Sequence, residues 1–257
     1  MAQVVVADSN ALRALLHAFP GGEEVFHPLQ LRADDQGLTI AATQKAGSFM
    51  AKLEIDGSGL ERQPATTAEM SLLPDQFKSV LQPTKSQSFS QGDIRATFDL
   101  DGNRMRVKLE SDEHPRVIRR TITAASGGKL HFENLPGFDD AAQAPDLDPV
   151  ILNEASDLFL ATDDVDRVHL EISDGRLEFE SRPRPEDAEC FEEGLTTEGE
   201  GSTLILPKFL DDASAIAKRN TGVGIASSEL RVIERGPVRF RYNLTCGSAT
   251  YWVGPSL

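Results

Sequence analysis

One stretch of the chain resembles a site for a divalent cation. Residues 99–110 place acidic or amide side chains where a calcium-binding loop has several of its ligands. That loop requires glycine at its sixth position for a sharp turn, and here the residue is Arg104. The sequence on either side also alternates as a strand does. We therefore expect no metal site here, and we interpret the acidic pairs elsewhere as solvated surface charge.

The remaining reactive residue types also fail to form a catalytic pattern. The five histidines are scattered and make no convincing triad with a serine or a cysteine. Residues 222–224 lack the glycine spacing of a dinucleotide fingerprint. Cys190 and Cys246 are isolated thiols, too few for a disulfide framework or a metal site. We predict that the protein is not an enzyme and uses no cofactor.

The composition is that of a globular and strongly acidic chain. It has 257 residues, of which 39% are hydrophobic, and 41 acidic residues against 26 basic ones give a net charge of −15. Such a charge repels nucleic acid at long range. It equally fits a protein adapted to high salt, because at ~1 M the Debye length falls to about 3 Å. We see no signal peptide and no apolar run near the ~20 residues that span a bilayer, so we expect a soluble cytoplasmic protein.

The chain contains two weakly similar halves. Each half has a predicted strand hairpin, then a proline at a predicted helix start, then a strand of alternating apolar and polar residues. The corresponding segments are 31–43 and 170–181, 72–77 and 205–209, and 102–109 and 236–244. The sequence therefore predicts one supersecondary pattern used twice.

Four amphipathic helices are predicted, two in each half. They cover residues 8–19, 74–82, 153–163 and 207–219, and each has apolar residues at helical spacing on one face. In the first helix, Asp8 or Ser9 can cap the N-terminus. Arg13 and His17 fall on the face opposite the apolar one, so the helix presents basic groups away from its core side.

A segment rich in glycine, proline and acidic residues separates the halves. This composition predicts a linker over residues 125–148, between domains at 1–124 and 149–257. The linker also carries Leu130, Phe132, Leu135 and Phe138, which a fully solvated segment would not need. We expect it to lie on the body of the protein.

The C-terminal segment, together with this organisation, resembles the PCNA-type DNA sliding clamps. That family ends in two aromatic residues, an aliphatic residue, a small residue and a proline, which Tyr251, Trp252, Val253, Gly254 and Pro255 match one for one. Residues 235–242 resemble the family strand that begins with a proline near the partner pocket. Residues 144–148 resemble the end of the family's connecting loop, so the resemblance covers the whole chain.

The resemblance implies an α+β fold of two similar clamp domains in tandem. Helices are expected to line the inner face of a homotrimeric ring, and antiparallel sheets its outer face. Such a ring encircles duplex DNA without reading its sequence, and tethers DNA polymerase, the clamp loader and other proteins that carry a clamp-binding peptide. Two alternatives stay open: a monomeric or heteromeric clamp-like adaptor that does not encircle DNA, and an unrelated enzyme or ligand-binding β-sandwich.

The family's DNA-facing surface is the polar side of its helices. Basic residues there contact phosphates without reading sequence. The third helix offers Glu154, Ser156 and Asp157 instead of a basic residue, so we expect weak DNA binding by a ring that topology retains. The alternative is that the basic residues are ordinary solvated groups on amphipathic helices. The matching positions are Arg13, His17, Lys78, Lys218 and Arg219.

The family's partner pocket lies under the connecting loop, and aromatic residues suit such a pocket as anchors. Gly47 and Ser48 occupy the place of a His-Val pair found at the mouth of the family's pocket. The alternative is that these apolar residues close the core of the second domain. The candidates are Met50, Leu130, Phe132, Leu135, Pro237, Tyr251, Trp252 and Pro255.

Family subunits join by pairing edge strands, and two segments of opposite charge fit that role. Residues 116–120 are basic and residues 189–193 are acidic. Opposite charges would set the register and the apolar residues would be buried between them. The alternative is that each edge is charged only to prevent aggregation. The predicted interface consists of Arg116, Ile118, Arg119 and Arg120 facing Glu189, Phe191, Glu192 and Glu193.

Overall fold

The computed structural model describes residues 2–82, 94–111, 117–126, 137–161, 165–182, 190–218 and 222–256. The first half contains β1 (Ala2–Val6), α1 (Ser9–His17), β2 (Leu29–Asp34), β3 (Gly37–Thr43), β4 (Phe49–Ile55), β5 (Ala68–Leu72), α2 (Pro74–Leu81), β6 (Ile94–Asp101), β7 (Arg104–Ser111) and β8 (Val117–Thr123). The second half contains β9 (Ala142–Ala144), α3 (Pro149–Ala161), β10 (Arg167–Ser173), β11 (Arg176–Arg182), β12 (Cys190–Gly194), β13 (Gly201–Ile205), α4 (Pro207–Ser214), β14 (Ile225–Val232), β15 (Val238–Leu244) and β16 (Gly247–Val253).

The two halves repeat one order of elements. Each runs strand, helix, four strands, helix, three strands, so β1 corresponds to β9, β4 to β12, and β8 to β16. The pairing repeats as well, because β1-β6-β7-β8 has its counterpart in β9-β14-β15-β16, and β5-β2-β3-β4 in β13-β10-β11-β12. The fold is therefore a two-domain α+β structure of antiparallel sheets and helices, as the sequence predicted.

One strand pair joins the halves into a continuous sheet. β16 of the second half pairs antiparallel with β4 of the first, which gives an eight-stranded sheet ordered β5-β2-β3-β4-β16-β15-β14-β9. Gly247, at the start of β16, has φ +142, and a Cβ there would lie 1.8 Å from the carbonyl oxygen of Glu54. Only glycine lets the two backbones approach this closely.

The core lies between the helices and the sheets. α1 contacts both β4 and β6, α2 packs against β7 and β8, and α3 packs against α4 and β14. Strand residues alternate in burial, as expected when one face of a sheet meets the core. In β15, for example, Val238, Phe240, Tyr242 and Leu244 are buried while Arg241 is exposed.

The helix starts follow the local sequence signals. The Asp8 carboxylate accepts hydrogen bonds from the backbone of Asn10 at 2.6 Å and Ala11 at 3.0 Å, which confirms the predicted cap. α2 and α4 begin at Pro74 and Pro207, also as predicted. α3 begins four residues earlier than predicted, at Pro149, because proline again suits the first helical position.

The described part of the linker lies on the protein body, as expected. Phe138 is only 3% exposed, and β9, which falls inside the predicted linker, pairs with β14. Leu130, Phe132 and Leu135 lie outside the described residues. The calcium-like segment forms the hairpin of β6 and β7, and the described residues contain no group of His, Cys, Asp or Glu arranged to hold a metal ion. No helix within the described ranges is long and apolar enough to cross a membrane.

Candidate functional site

The four helices α1 to α4 are called the helix layer below. The described basic residues predicted for it lie on three neighbouring elements. Arg13 and His17 are on α1, Lys78 is on α2, and Lys218 follows the 3-10 turn Ala215–Ala217 that extends α4. α1 contacts both α2 and this turn, so side chains from the two halves meet there. Arg219 lies outside the described residues.

His17, Lys78 and Lys218 line one cleft of about 330 Å³. Its other lining residues are Leu16, Phe19, Pro20 and Ala215. The ammonium of Lys78 donates to the carbonyl of Gly21 at 2.7 Å, and that of Lys218 pairs with Asp211 at 2.6 Å. Arg13 does not line the cleft. It donates to the carbonyl of Gly222 at 2.7 Å and so ties α1 to the second half.

Burial lowers the pKa of two basic side chains that line the cleft. Partial burial lowers the pKa of His17, and the charges of Lys78 and Arg13 lower it further. Burial likewise lowers the pKa of Lys78, against the opposing effect of Asp75. Burial is therefore the main cause of both shifts in pKa, and neighbouring positive charge adds to it only at His17.

The outer face of the eight-stranded sheet brings three of the predicted pocket residues together. In the register of β4, β16 and β15, Trp252 lies opposite Met50 on one side and Arg239 on the other. Pro237 precedes Val238, which pairs with Val253, so it belongs to the same end of the sheet. Met50, Trp252, Pro237 and Pro255 are all half-buried and hence partly accessible.

Tyr251 does not belong to this surface, and its prediction as a pocket residue was wrong. Its side chain is fully buried, 5.8 Å from the ring of Phe49 and 6.0 Å from that of Tyr242. Successive side chains of a strand point to opposite faces, so Trp252 outside requires Tyr251 inside.

An arginine pair next to Trp252 was missed by the sequence analysis. Arg231 and Arg239 both hydrogen-bond Glu229, the first at 2.6 Å. Arg239 also lies 5.2 Å from the ring centre of Phe138, and Arg231 donates to the carbonyl of Phe138 at 3.2 Å. This cluster holds Phe138 of the linker in place near Trp252. Strand alternation is the signal that could have placed Arg239 on the same face of β15 as Pro237.

The two arginines favour the ionised form of Glu229. Burial alone would raise the pKa of Glu229, but the hydrogen bonds from Arg239 and Arg231 and their positive charges outweigh that effect and lower it. A paired, half-buried carboxylate of this kind holds both guanidinium groups in fixed positions.

The two segments predicted as the subunit interface form edge strands of their sheets. β8 ends the sheet β1-β6-β7-β8, and β12 ends the sheet β12-β11-β10-β13. Ile118 lies opposite the buried Leu109, and Phe191 lies opposite the buried Phe179 with ring centres 6.2 Å apart. Both apolar residues therefore lie on the core side of their edge. Arg116 and Glu189 lie outside the described residues.

Two solved structures superpose on the whole chain. A chain of the PCNA2-PCNA3 complex from Sulfolobus tokodaii has a TM-score of 0.75 at 18% identity, with 98% of each chain covered. The proliferating cellular nuclear antigen of Entamoeba histolytica has a TM-score of 0.77 at 9% identity, covering 100% of this chain and 99% of that one. The chain has the PCNA-type clamp fold. No family model matches it, and no curated protein matches it in sequence.

Within this clamp fold, Arg120 has a role that differs from the predicted ion pairing. Its guanidinium donates to the carbonyls of Ser79, Val80 and Gln82, at 2.6 to 3.0 Å. These carbonyls end α2 and have no partner within the helix. In this structure Arg120 therefore caps α2 and holds it to β8, whereas Arg119 is exposed on the opposite face.

The clamp fold also places Glu154 and Asp157 of α3 at the surface. The helix layer is thus basic around α1 and α2 and acidic along α3. Lys218 is the basic contribution of the second half to the cleft.

Proposed function

We propose that this chain is a subunit of a DNA sliding clamp, a ring that encircles duplex DNA and tethers replication proteins. One observation carries the proposal. The free edges β8 and β12 are the topological counterparts of β16 and β4, which already pair within the chain. Repeating that junction between copies joins subunits head to tail, and the resemblance to PCNA-type clamps supports closure at three subunits.

The charge and burial of the two edges support this contact. The core-facing side of each edge strand carries an apolar residue, Ile118 on β8 and Phe191 on β12. The solvent-facing side carries a charged residue, Arg119 on β8 and Glu192 on β12. An antiparallel junction would place like faces together, with apolar residues inside and opposite charges outside. Val117, 41% exposed in the single chain, would gain a neighbour.

The proposed mechanism is topological. A closed ring stays on DNA without strong contacts, so an acidic chain with few basic groups in its helix layer suffices. A polymerase bound to the ring is held at high effective concentration near its template and rebinds before it diffuses away. No chemical step is required of the clamp itself.

The exposed thiol of Cys190 on β12 offers a direct test of the junction. Val117, Arg119 and Thr121 lie on the exposed face of β8, and each is replaced in turn by cysteine. We expect one of the three variants to form a disulfide with Cys190 of a second copy. The position of the cysteine in that variant gives the register in which β8 pairs with β12. Cys246 is buried and does not interfere. Ile118→Cys, on the other face, is the matched control, and failure of all three variants would contradict the junction.

The same cross-link tests whether the ring encloses DNA. The disulfides are formed in the presence of a nicked circular plasmid. The complexes are then washed at high salt to remove protein that is bound to DNA only by electrostatic contacts. We expect the ring to stay on the circle and to leave once the plasmid is cut. Equal loss from circular and linear DNA would exclude encirclement while leaving the junction intact.

A heteromeric ring or an adaptor that does not enclose DNA is the second candidate. The acidic surface of α3 favours it, and one similar structure is of a complex of two different clamp chains. Light scattering at about 0.2 M and about 3 M salt separates the candidates, because screening weakens repulsion between acidic subunits. A homotrimer in either condition supports our proposal, and a monomer in both supports the second candidate.

We further propose that the surface around Trp252 binds the clamp-binding peptide of DNA polymerase, the clamp loader and other partners. Trp252, Met50 and Pro237 provide a half-buried apolar surface near Phe138 of the linker, and the half-buried Pro255 follows β16. Trp252→Ala should weaken binding of such a peptide by about 2 kcal/mol, as for other aromatic anchors. Tyr251→Phe is the control: it removes only a buried hydroxyl, and fluorescence anisotropy should show unchanged affinity. Equal affinity of the Trp252 variant and wild type would remove this assignment.

A further inference from the structure

The solvent-facing side of the eight-stranded sheet carries a groove beside Trp252. In the register of β4, β16 and β15, Thr250 lies between Lys52 and Arg241, two residues along β16 from Trp252. Thr250 has a short side chain and is only 6% exposed, whereas Arg241 is exposed. Two long basic side chains therefore flank a low floor about 7 Å from Trp252, and we call this feature the basic groove.

The guanidinium of Arg241 is available to a ligand. Glu229 lies directly opposite Arg241 on β14, but its carboxylate accepts hydrogen bonds from Arg231 and Arg239 instead. Arg241 makes no hydrogen bond or ion pair with any residue that the structure describes. Three arginines thus surround one carboxylate, and the exposed one keeps all its donors for a partner.

The charge changes sign along the groove. The ammonium of Lys52 pairs with Glu54 at 2.6 Å, and Glu54 is two residues further from Trp252 in the sheet register. Glu54 and Asp56 line the far end of the groove, a cleft of about 280 Å³ that Arg241 also lines. The groove is therefore positive close to Trp252 and negative about 14 Å from it.

We propose that the basic groove selects clamp-binding peptides that carry a carboxylate two residues from their apolar anchor. This inference rests on the proposed binding of such peptides at Trp252. An extended peptide advances about 3.4 Å per residue and points every second side chain to the same side. With the anchor at Trp252, an aspartate or glutamate two residues away lies level with Arg241. A guanidinium binds a carboxylate through two parallel hydrogen bonds.

A peptide carboxylate suits this groove better than the phosphates of a nucleic acid. The chain has a net charge of −15, which repels a long polyanion. The acidic end of the groove would also oppose a continuous row of phosphates. A peptide with one carboxylate beside its anchor meets only the basic end.

The test measures fluorescence anisotropy with labelled, tryptophan-free clamp-binding peptides. Members of each pair differ only in having aspartate or asparagine, placed two or four residues from the anchor on either side of it. Trp252 is the single tryptophan of the chain, so its emission reports whether a peptide occupies this surface. All the peptides should change that emission.

We expect aspartate at the second residue, on one side of the anchor, to bind about threefold to fivefold tighter than asparagine at low salt, as for an exposed ion pair. The side that shows the effect gives the direction of the peptide. At the fourth residue on that side, near Glu54, aspartate should bind no tighter than asparagine. High salt should remove the preference.

Variants assign the preference to one side chain. Arg241→Gln should abolish the preference for aspartate and leave the affinity for the asparagine peptide unchanged, and Arg241→Glu should reverse the preference. Arg32→Gln is the matched control. Arg32 is an exposed arginine in register with Thr39 and Glu54 on the same side of the sheet, but its strand β2 lies four strands from β15, roughly 19 Å away. It should keep the wild-type preference.

The outcomes that contradict the proposal are distinguishable. Equal affinity of wild type for the aspartate and asparagine peptides, with Trp252 responding to both, would exclude carboxylate selection and leave peptide binding at Trp252 intact. A preference retained in Arg241→Gln would place the carboxylate elsewhere. If no peptide bound or changed the emission of Trp252, the proposed peptide surface would fall together with the groove. Short duplex DNA that changed this emission in wild type and not in Arg241→Gln would assign the groove to phosphate.

Discussion

The two halves of the chain share one order of elements but differ in charge at equivalent places. α2 and α4 both begin at a proline that follows a leucine, and neither has a side-chain cap at its start. Counting from that proline, Lys78 of α2 corresponds to Asp211 of α4. The free sheet edges show the same difference in charge: the edge strand β8 of the first half carries the basic Arg119, and the edge strand β12 of the second half carries the acidic Glu192.

This difference shows which properties the duplicated architecture requires and which it leaves open. Apolar positions keep their spacing in both halves because the core needs them. Surface charge is unconstrained by packing, so each half can carry a different sign. A basic edge and an acidic edge on one chain suit a head-to-tail contact, whereas like charges would oppose it.

The largest expected effect is on assembly, and it comes from giving the edge strands β8 and β12 the same charge. Replacing Arg116 and Arg119 with glutamate places acidic residues on both edges, and Arg120 is retained because it caps α2. Like charges in an interface cost several kcal/mol, so we expect monomers at low salt by light scattering. Adding Glu192→Arg and Glu193→Arg should restore assembly. A trimer formed by the first variant as readily as by wild type would show that the edges do not meet.

The second prediction concerns a buried carboxylate found in α4 and not in α2. Asp212 is 6% exposed, and its Oδ2 has no hydrogen-bond partner among the described residues; the corresponding residue of α2 is Ser79. Burial raises the pKa of Asp212 from 3.8 to about 6, an effect that Lys208 opposes. The unfolded chain therefore loses its proton first, and stability falls as pH rises from 3.8 to about 6.

Removing this carboxylate should stabilise the protein where it is ionised. A rise in pKa from 3.8 to about 6 corresponds to about 3 kcal/mol, so Asp212→Asn should raise the free energy of unfolding by about 2–3 kcal/mol near pH 7.5. The gain should shrink towards about pH 4. Asp211→Asn, which breaks the pair with Lys218, is the control and should give no gain. Denaturant titrations at both pH values measure these differences.

The third prediction makes the helix layer of the second half as basic as that of the first. Glu154→Lys with Asp157→Lys should increase affinity for duplex DNA by about tenfold and steepen its salt dependence by about one per new phosphate contact. Asp139→Lys with Asp140→Lys changes the net charge equally on the exposed linker and is the control. An equal gain in both variants, measured by fluorescence anisotropy, would show that only net charge matters.

The smallest expected effect concerns the cap that β8 supplies to α2. Arg120→Ala leaves three carbonyls without their guanidinium donor and should lower the free energy of unfolding by about 1–2 kcal/mol. Arg119→Ala, one residue away on the exposed face, should change it by less than about 0.5 kcal/mol. Equal stability of the two variants in denaturant titrations would contradict the capping role.

Much of the local structure could be predicted from the sequence. Alternation located β7 and β15, and prolines located the starts of α2 and α4. The aromatic C-terminal segment indicated the clamp fold. Alternation also implied that Tyr251 and Trp252 point to opposite faces, and placing both in the pocket neglected that periodicity.

The candidate surfaces were less predictable, because each combines distant residues. The contact of Arg120 with α2 spans about 40 positions, and the contact of Arg239 with Phe138 about 100. No local pattern indicates such pairs. The burial of Asp212 was equally hidden, since two adjacent acidic residues usually mark a solvated face.

The sequence by itself determined the C-terminal strand and its two faces, because an alternating pattern acts over a few residues and fixes which side chains meet the core. Tertiary structure decided what that strand joins. Ser248 pairs with Glu54 across the two halves, and this pairing, which no local signal predicts, joins one sheet of each domain into a continuous eight-stranded sheet. Pairing between distant strands depends on the edges that remain free once each half has folded. The same reason leaves β8 and β12 available for a second copy of the chain.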